Sequence, residues 1–274
     1  MGGKLYVVGT PIGNLGDFSP RAIEALQKAD FIAAEDTRVT IKLLNHFGIK
    51  KEMLSYYEHN KMGKGNLIIS RIMNGESCAL VSDAGMPAIS DPGEDLVRQA
   101  KEIGIKVEAV PGPSALITAL SVSGMPCGRF CFEGFLSVNK INRRQHLEQL
   151  ANEKRTMIFY EAPHKLSATL KDMLNYFGDR EITLARELTK IHESVEKTTL
   201  KSASDYYNEN TPKGEFVLII KGADEKDESY TLEEAVKIAK KFVAEGSSTS
   251  TAAKEAANIT GIKKGEIYKL LLDL

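Results

Sequence analysis

The sequence predicts an α/β fold with a parallel, doubly wound first domain, a second domain built on a mixed sheet, and a small helical appendage. Three observations carry that reading. Short apolar runs alternate with amphipathic stretches as far as Val110, the pattern of βα units. After Glu181 the apolar runs follow one another with no helical pattern between them, which points to antiparallel pairing. Beyond Gly222 the charged run Ala-Asp-Glu-Lys-Asp-Glu-Ser sets off a segment with helical patterns alone. A chain of 274 residues is longer than one core usually supports, and the expected domains are 1–124, 125–222 and 230–274.

The first strand is Leu5 to Val8, followed by the glycine-rich turn Gly9 to Gly16 and a helix opened by Ser19-Pro20. The spacing GxxxGxxG is neither a dinucleotide fingerprint nor a P-loop, and Pro11 lacks an amide, so a phosphate cradle is not expected. Phe31 to Ala34 is a strand ending in Glu35-Asp36-Thr37-Arg38, before a helix that Gly48 closes. A strand at 53–57 and a helix carrying Ile68 and Ile72 lead to the centre of the domain. There Cys78 to Val81 is short and wholly apolar, a strand buried on both faces, and Ser82-Asp83-Ala84-Gly85 follows at its carboxyl end. Ligands of open α/β sheets collect at that end, where Asp83 offers an acceptor and Gly85 a close approach to backbone. Asp91 is expected to cap a helix starting at Pro92 and closing at Gly104. Ile105 to Val110 and Pro-Gly-Pro-Ser114-Ala115, with Ser114 as a cap, complete the domain.

After the break Gly124 to Arg129 come strands at 130–135, 156–160, 181–186, 195–200 and 215–221, with helices at 140–152 and 164–177. Glu161 to Lys165, Arg186 to Lys190 and Lys213 to Phe216 lie next to strand ends. In the tail, Thr231 and Glu234 form a capping box, and helices at 250–258 and 264–273 have helix-turn-helix spacing.

Composition narrows the chemistry. With 42% hydrophobic and 27% charged residues the chain reads as a soluble globular protein, and its formal charge of -1 gives no overall attraction to polyanions. Nucleic-acid contact would rest on local clusters: Lys140, Arg143 and Arg144, or Lys263, Lys264 and Lys269. No signal peptide and no apolar stretch of membrane-spanning length is read, and three cysteines suit a reduced, cytoplasmic protein. There is no HExxH and no GxSxG. Cys127 and Cys131, without a nearby histidine, read as buried small hydrophobes, and no metal site is expected.

Taken in order, Leu-Tyr-Val-Val-Gly-Thr-Pro-Ile-Gly-Asn-Leu-Gly-Asp, Ala-Glu-Asp-Thr-Arg, Val-Ser-Asp-Ala-Gly-Met-Pro, Asp-Pro-Gly, Val-Pro-Gly-Pro-Ser-Ala, Tyr-Glu-Ala-Pro-His, Ala-Arg-Glu-Leu-Thr-Lys and Gly-Glu-Phe resemble the ribosomal RNA methyltransferases of the tetrapyrrole methylase superfamily. The resemblance runs from Leu5 to about Gly222, with Ser137 where the family pattern carries proline. It implies S-adenosylmethionine-dependent methylation of the ribose 2'-oxygen of a cytidine in 16S rRNA of the small ribosomal subunit, by a homodimer holding its cofactor between the two domains. The cofactor loops it implies are Thr10 and Pro11, Asp83, Ala84, Gly85 and Met86, Ser114 and Ala115, Ala162, Leu188, and Gly214, Glu215 and Phe216.

A methyl donor of this kind needs alignment more than covalent help, while the weakly acidic acceptor hydroxyl gains from a nearby base or cation. The candidates are Asp36, Arg38, His164 and Glu187, with Arg186 and Glu35 beside them; Asp36 and Arg38 also read as a structural ion pair. Glu35, Lys140, Arg143, Arg144, Lys263 and Lys264 are expected toward RNA. Two other readings stay open at this point: a small-molecule methylase of the same fold, and a noncatalytic nucleotide-binding module.

Overall fold

The computed structural model describes residues 2–224 and 230–272, in two compact units, Met1–Ala223 and Asp224–Leu274. The first unit begins with β1 (Lys4–Val8), α1 (Pro20–Lys28), β2 (Phe31–Ala34), α2 (Thr37–His46), β3 (Glu52–Ser55), α3 (Lys61–Met73), β4 (Cys78–Val81), α4 (Gly93–Glu102), β5 (Lys106–Val110) and α5 (Ala115–Val122). Its five strands are all parallel, in the order β3-β2-β4-β1-β5. Alternation along each strand divides the core. Tyr6, Val8, Ile32, Ala34, Ala79 and Val81 meet Ala22, Leu26 and Leu44 of α1 and α2, while Leu5, Phe31, Ala33, Cys78 and Leu80 meet Ile68, Ile72, Leu96 and Ala100 of α3 and α4. The chain leaves β1 for β2 in one direction and β4 for β5 in the other. The order therefore reverses between β1 and β4, and a crevice opens at their carboxyl ends.

Two expected caps take a different form. Helix α4 starts at Gly93, because Pro92 already sits in the turn, and the Asp91 carboxylate accepts from Gly93 N at 2.8 Å and Ala88 N at 3.0 Å. Those bonds hold Ala88 at φ 69°, a conformation an alanine rarely takes. Ser114 stands at the N-cap of α5 without capping it; the Tyr160 hydroxyl accepts from Leu116 N at 3.1 Å instead.

The unit continues with β6 (Phe130–Phe135), α6 (Lys140–Leu150), β7 (Thr156–Glu161), α7 (Pro163–Phe177), β8 (Glu181–Arg186), β9 (Ser194–Thr199), α8 (Leu200–Glu209) and β10 (Phe216–Ile220). The second sheet has the order β6-β7-β10-β8-β9, with β6 parallel to β7 and every other pair antiparallel. The sequence reading lacked α8. Thr199 caps that helix by accepting from Ser202 N, and it buries only Leu200 and Ala203, so its apolar stripe is too narrow to announce itself. The carboxyl ends of β6, β7 and β8 and the start of β10 share one edge of this sheet.

In the second unit, α9 (Leu232–Ala244) carries the expected capping box of Thr231 and Glu234. Helices α10 (Thr249–Thr260) and α11 (Lys264–Leu272) follow, turned by Gly261 at φ 72°. Ala235, Ala239, Ala252, Ala253, Ala256 and Ile267 form a core from this unit's own residues. Apart from residues 223 and 224, the expected linker lies outside the described residues. Cys127, expected to be buried, is exposed at the turn into β6; Cys78 is enclosed, and desolvation pushes its thiol up to about 12. Among the described residues no helix is long and apolar enough to cross a membrane.

Candidate functional site

A cavity of about 480 Å³ lies where the loops at the carboxyl edges of the two sheets face each other. Its first wall is the loop after β4, from Ser82 to Met86, with Ile89 to Asp91, Glu35 from the end of β2, Ile12 from the turn after β1, and Ser114 and Ala115 at the start of α5. The opposite wall is Phe135, Tyr160 to Pro163, Ala185, Leu188 and Glu215 to Val217.

Backbone contacts explain why these loops converge. Thr10 and Gly85 exchange hydrogen bonds, Thr10 N to Gly85 O at 2.9 Å and Gly85 N to Thr10 O at 3.1 Å, tying the turn after β1 to the loop after β4. Gly85 has φ 81°, and a Cβ there would crowd Ile12 and the Pro113 carbonyl. A Cβ on Gly9 would lie 2.7 Å from the Gly112 Cα, so that glycine serves close packing between the first and fifth strand ends, with no ligand required.

Of the residues assigned to the cofactor from sequence, Asp83, Ala84, Gly85, Met86, Ser114, Ala115, Ala162, Leu188, Glu215 and Phe216 line the cavity. Thr10, Pro11 and Gly214 do not. The Thr10 hydroxyl is spent on the Ser82 and Gly85 carbonyls, at 3.3 and 3.4 Å. Gly214, at φ 84°, packs its Cα against the Glu187 side chain, where a Cβ would collide.

The four catalytic candidates are all outside the lining. Asp36 caps α2 by accepting from Arg38 N at 2.8 Å and pairs with the Arg38 guanidinium at 2.6 Å, which holds its carboxyl down at about 2. Its backbone N–H also donates to Asp83 Oδ1 at 3.0 Å, so the pair anchors the cavity wall from behind. Glu187, at φ 51°, accepts from Glu215 N and Lys190 Nζ, both at 2.9 Å, and braces the turn that presents Leu188, Glu215 and Phe216. His164 is exposed in a separate polar groove with Ser167 and Tyr207. Glu35, assigned to RNA, does reach the cavity.

Sequence reasoning assigned no site role to Ile12, Ser82, Asp91, Tyr160, Glu161 and Val217, among others, whereas Phe135 opens the segment 135–139 that the resemblance implies as a substrate loop. Tyr160 and Glu161 stand in Tyr-Glu-Ala-Pro-His and Asp91 in Asp-Pro-Gly, and placement at or after the end of a strand is the signal each carries. Glu161 is 4% exposed, accepts from Ala162 N at 2.9 Å and takes a short hydrogen bond from the Thr169 hydroxyl. Arg143 donates to that same hydroxyl at 3.1 Å and to Asp172 at 2.6 Å, so the Arg143 side chain is turned inward rather than held toward solvent. Lys140 and Arg144 are exposed, Arg144 paired with Glu148 at 2.7 Å. In the tail Lys263 and Lys264 are exposed, and Lys264 Nζ donates to Ser250 Oγ at 3.0 Å.

Electrostatically, one wall is acidic. Burial raises the carboxyls of Glu35, Asp83 and Asp91 above their ordinary range; the charge of Asp83 raises Glu35 further, and Asp36 and Asp91 do the same to Asp83. Glu35 makes no ion pair among the described residues, its one contact being a long bond of 3.4 Å from Asp83 N. The facing wall is largely apolar, with Leu188, Phe216 and Val217 all buried.

Two facing sheets with a strand-end cavity between them are the arrangement of the tetrapyrrole (corrin/porphyrin) methylases, and the model of that family matches residues 4–204. Solved structures agree in fold: a uroporphyrin-III-C-methyltransferase from Thermus thermophilus superposes with a TM-score of 0.57 at 18% identity, over 80% of this chain and 94% of that one. A diphthine synthase gives a TM-score of 0.58 at 14% identity, over 80% and 89%. Within the class, the chain is 48% identical to the ribosomal RNA small subunit methyltransferase I of Synechocystis sp., over 99% of this chain and 98% of its relative. It is 50% identical to that of Xylella fastidiosa, over 97% and 98%, and 44% identical to that of Escherichia coli O157:H7, over 99% and 95%. The chain belongs to the ribosomal RNA small subunit methyltransferase I family of the tetrapyrrole methylases.

Proposed function

We propose that this protein is an S-adenosylmethionine-dependent methyltransferase that methylates the ribose 2'-oxygen of a cytidine in 16S rRNA of the small ribosomal subunit. The observation that carries the reading is near-full-length similarity, at 44 to 50% identity, to proteins named for that ribosomal RNA activity. The cavity suits the donor. Its acidic wall complements a cationic ligand, its apolar wall offers a flat ring a dry surface, and its volume is that of a small-molecule site. Asp83 to Met86, Ser114, Ala115, Ala162, Leu188, Glu215 and Phe216 hold the donor in this reading, and Thr10, Pro11 and Gly214 shape the loops that do so.

When bound, the donor supplies a methyl group on a positively charged sulfur. Leu188, Phe216 and Val217 would exclude water from it, and the two cavity walls would hold it beside the acceptor. Glu35 accepts the proton of the 2'-hydroxyl as the oxygen takes the methyl, so that no alkoxide has to form in advance. Two features suit it to that role: it faces the cavity with no cationic partner among the described residues, and burial has lifted its basicity. Asp36, Arg38 and Glu187 act one step removed, by positioning Asp83 and Glu215. The enzyme works in the cytoplasm as a homodimer on this reading, and sedimentation of the purified protein checks the second point.

The test is transfer of labelled methyl from S-adenosylmethionine to small ribosomal subunits, with a porphyrinogen as the competing acceptor. Label should enter 16S rRNA and make one phosphodiester resistant to alkali, as blocking of a 2'-hydroxyl requires. Label in the porphyrinogen alone would establish the small-molecule reading, and no transfer to either would return the chain to a binding module.

A further inference from the structure

We propose that Phe135 is the platform on which the base of the acceptor nucleotide stacks while its ribose is methylated. The proposal deepens the rRNA reading of the same cavity and rests on it.

The argument starts from a bulge. Along β6 the partners on β7 run Phe132 with Ile158, then Gly134 with Phe159, then Phe135 with Tyr160, so one residue is skipped, and Gly134 takes φ 64° to allow it. Without the extra residue, strand alternation would place Phe135 with Cys131, whose side chain packs into the core under α6 and α7. With it, Phe135 lands on the face of Phe132 and Tyr160. Both rings meet Tyr160 edge-on, Phe132 at 4.9 Å and Phe135 at 5.5 Å between centroids. The bulge thus turns a core-facing phenylalanine into the cavity wall.

Its setting is rigid. Tyr160 is pinned by its hydrogen bond from Leu116 N, Leu136 beside Phe135 is only 4% exposed, and Asn139 closes the segment by capping α6. Ser137 helps, its hydroxyl accepting from Asn139 N at 3.2 Å. Yet Phe135 itself is 55% exposed. A flat ring held open by fixed neighbours has one clear complement, another flat ring. Elsewhere in the cavity Leu188, Phe216 and Val217 are themselves buried, as a wall for a small ligand held inside requires. An exposed ring serves one that arrives from outside on a polymer, and a nucleotide must leave its stack before its ribose fits such a site.

The chain contains no tryptophan, so Phe135→Trp introduces a single fluorescent reporter. Its emission should be quenched by small ribosomal subunits and remain unchanged with S-adenosylmethionine alone. Phe135→Ala should lower kcat/KM for subunits about ten- to a hundredfold, the effect of removing one base–aromatic stack. Donor affinity by calorimetry and the melting temperature should not change. Loss of donor affinity, or quenching by the donor alone, would assign the ring to the cofactor and overturn the proposal. So would full activity of Phe135→Ala on subunits that the parent methylates. If the parent methylates no subunits, the rRNA reading fails first and this proposal falls with it.

Discussion

Glu35 ends a buried strand, and its carboxyl is raised above the ordinary 4.5, first by desolvation and then by Asp83. The sign has two consequences. Ionising Glu35 costs the folded protein more than the unfolded chain, so whatever stability the group contributes is present while it is protonated and is lost as pH rises from 4.5 through the folded value. A proton acceptor must be ionised to act, so activity should climb over that same window and level off above it. Glu35→Gln should lower kcat by about a hundredfold or more and erase the acidic limb of the pH profile, without reducing the melting temperature at neutral pH. Retention of the limb in the variant would place the proton elsewhere. Gly85 teaches the opposite lesson: at φ 81° any side chain strains the loop, so its substitution tests the backbone before it tests a ligand.

Helix α6 looks in the sequence like a basic face, but its cations have different work. Arg143 is joined to Asp172 and through Thr169 to Glu161 in the cavity wall, a chain linking α6, α7 and β7. Arg143→Ala should cost about 1–3 kcal/mol, seen as a lower denaturation midpoint, because it leaves partly buried acceptors on Asp172 and Thr169 unmet. The salt dependence of subunit binding should be unchanged by it. Lys140 and Arg144 remain as the exposed cations of that helix, and replacing both should reduce the salt slope if α6 meets RNA. A shallower slope from Arg143→Ala alone would give that side chain a phosphate contact after all.

On the scale of the whole molecule, a protein of formal charge -1 has to find a polyanion through local clusters. The second unit has its own core, and at the start of α11 it carries Lys263 and Lys264, where positive charge opposes the helix dipole. Such lysines contribute little to folding and are well placed for phosphate. Deleting residues 226–274 should weaken binding to small subunits and flatten its slope on a log–log salt plot by about 1 to 2, while leaving donor affinity as it was. Measuring both affinities from low to moderate salt for the full and shortened chains decides it; an unchanged slope would make this unit a packing or dimerisation element.

Much of the fold was legible in the chain itself. Strands such as Cys78–Val81 and Phe31–Ala34 are unbroken apolar runs because both faces of a parallel sheet are covered, and that burial is written in composition alone. The punctuation at Ser19-Pro20, Gly48, Gly104 and Thr231 marks helix ends for reasons internal to each segment. That the loop after β4 lines a strand-end cavity was legible because its position at a strand end follows from the βα order. Which side chains occupy the cavity was decided by contacts distant in sequence. Ser114 does not cap α5, because the Tyr160 hydroxyl, from a strand of the second sheet, accepts from Leu116 N instead. Arg143 turns inward because Asp172 and Thr169 stand across from it, and Glu187 braces a turn because Gly214 leaves room for it. Phe135 faces the cavity because one extra residue in β6 reverses the alternation that the sequence pattern would suggest. Local propensity determines the elements, since each rests on neighbours along the chain. The site is assembled from strand ends that meet only in the folded protein, so register and cross-strand hydrogen bonds chose its residues.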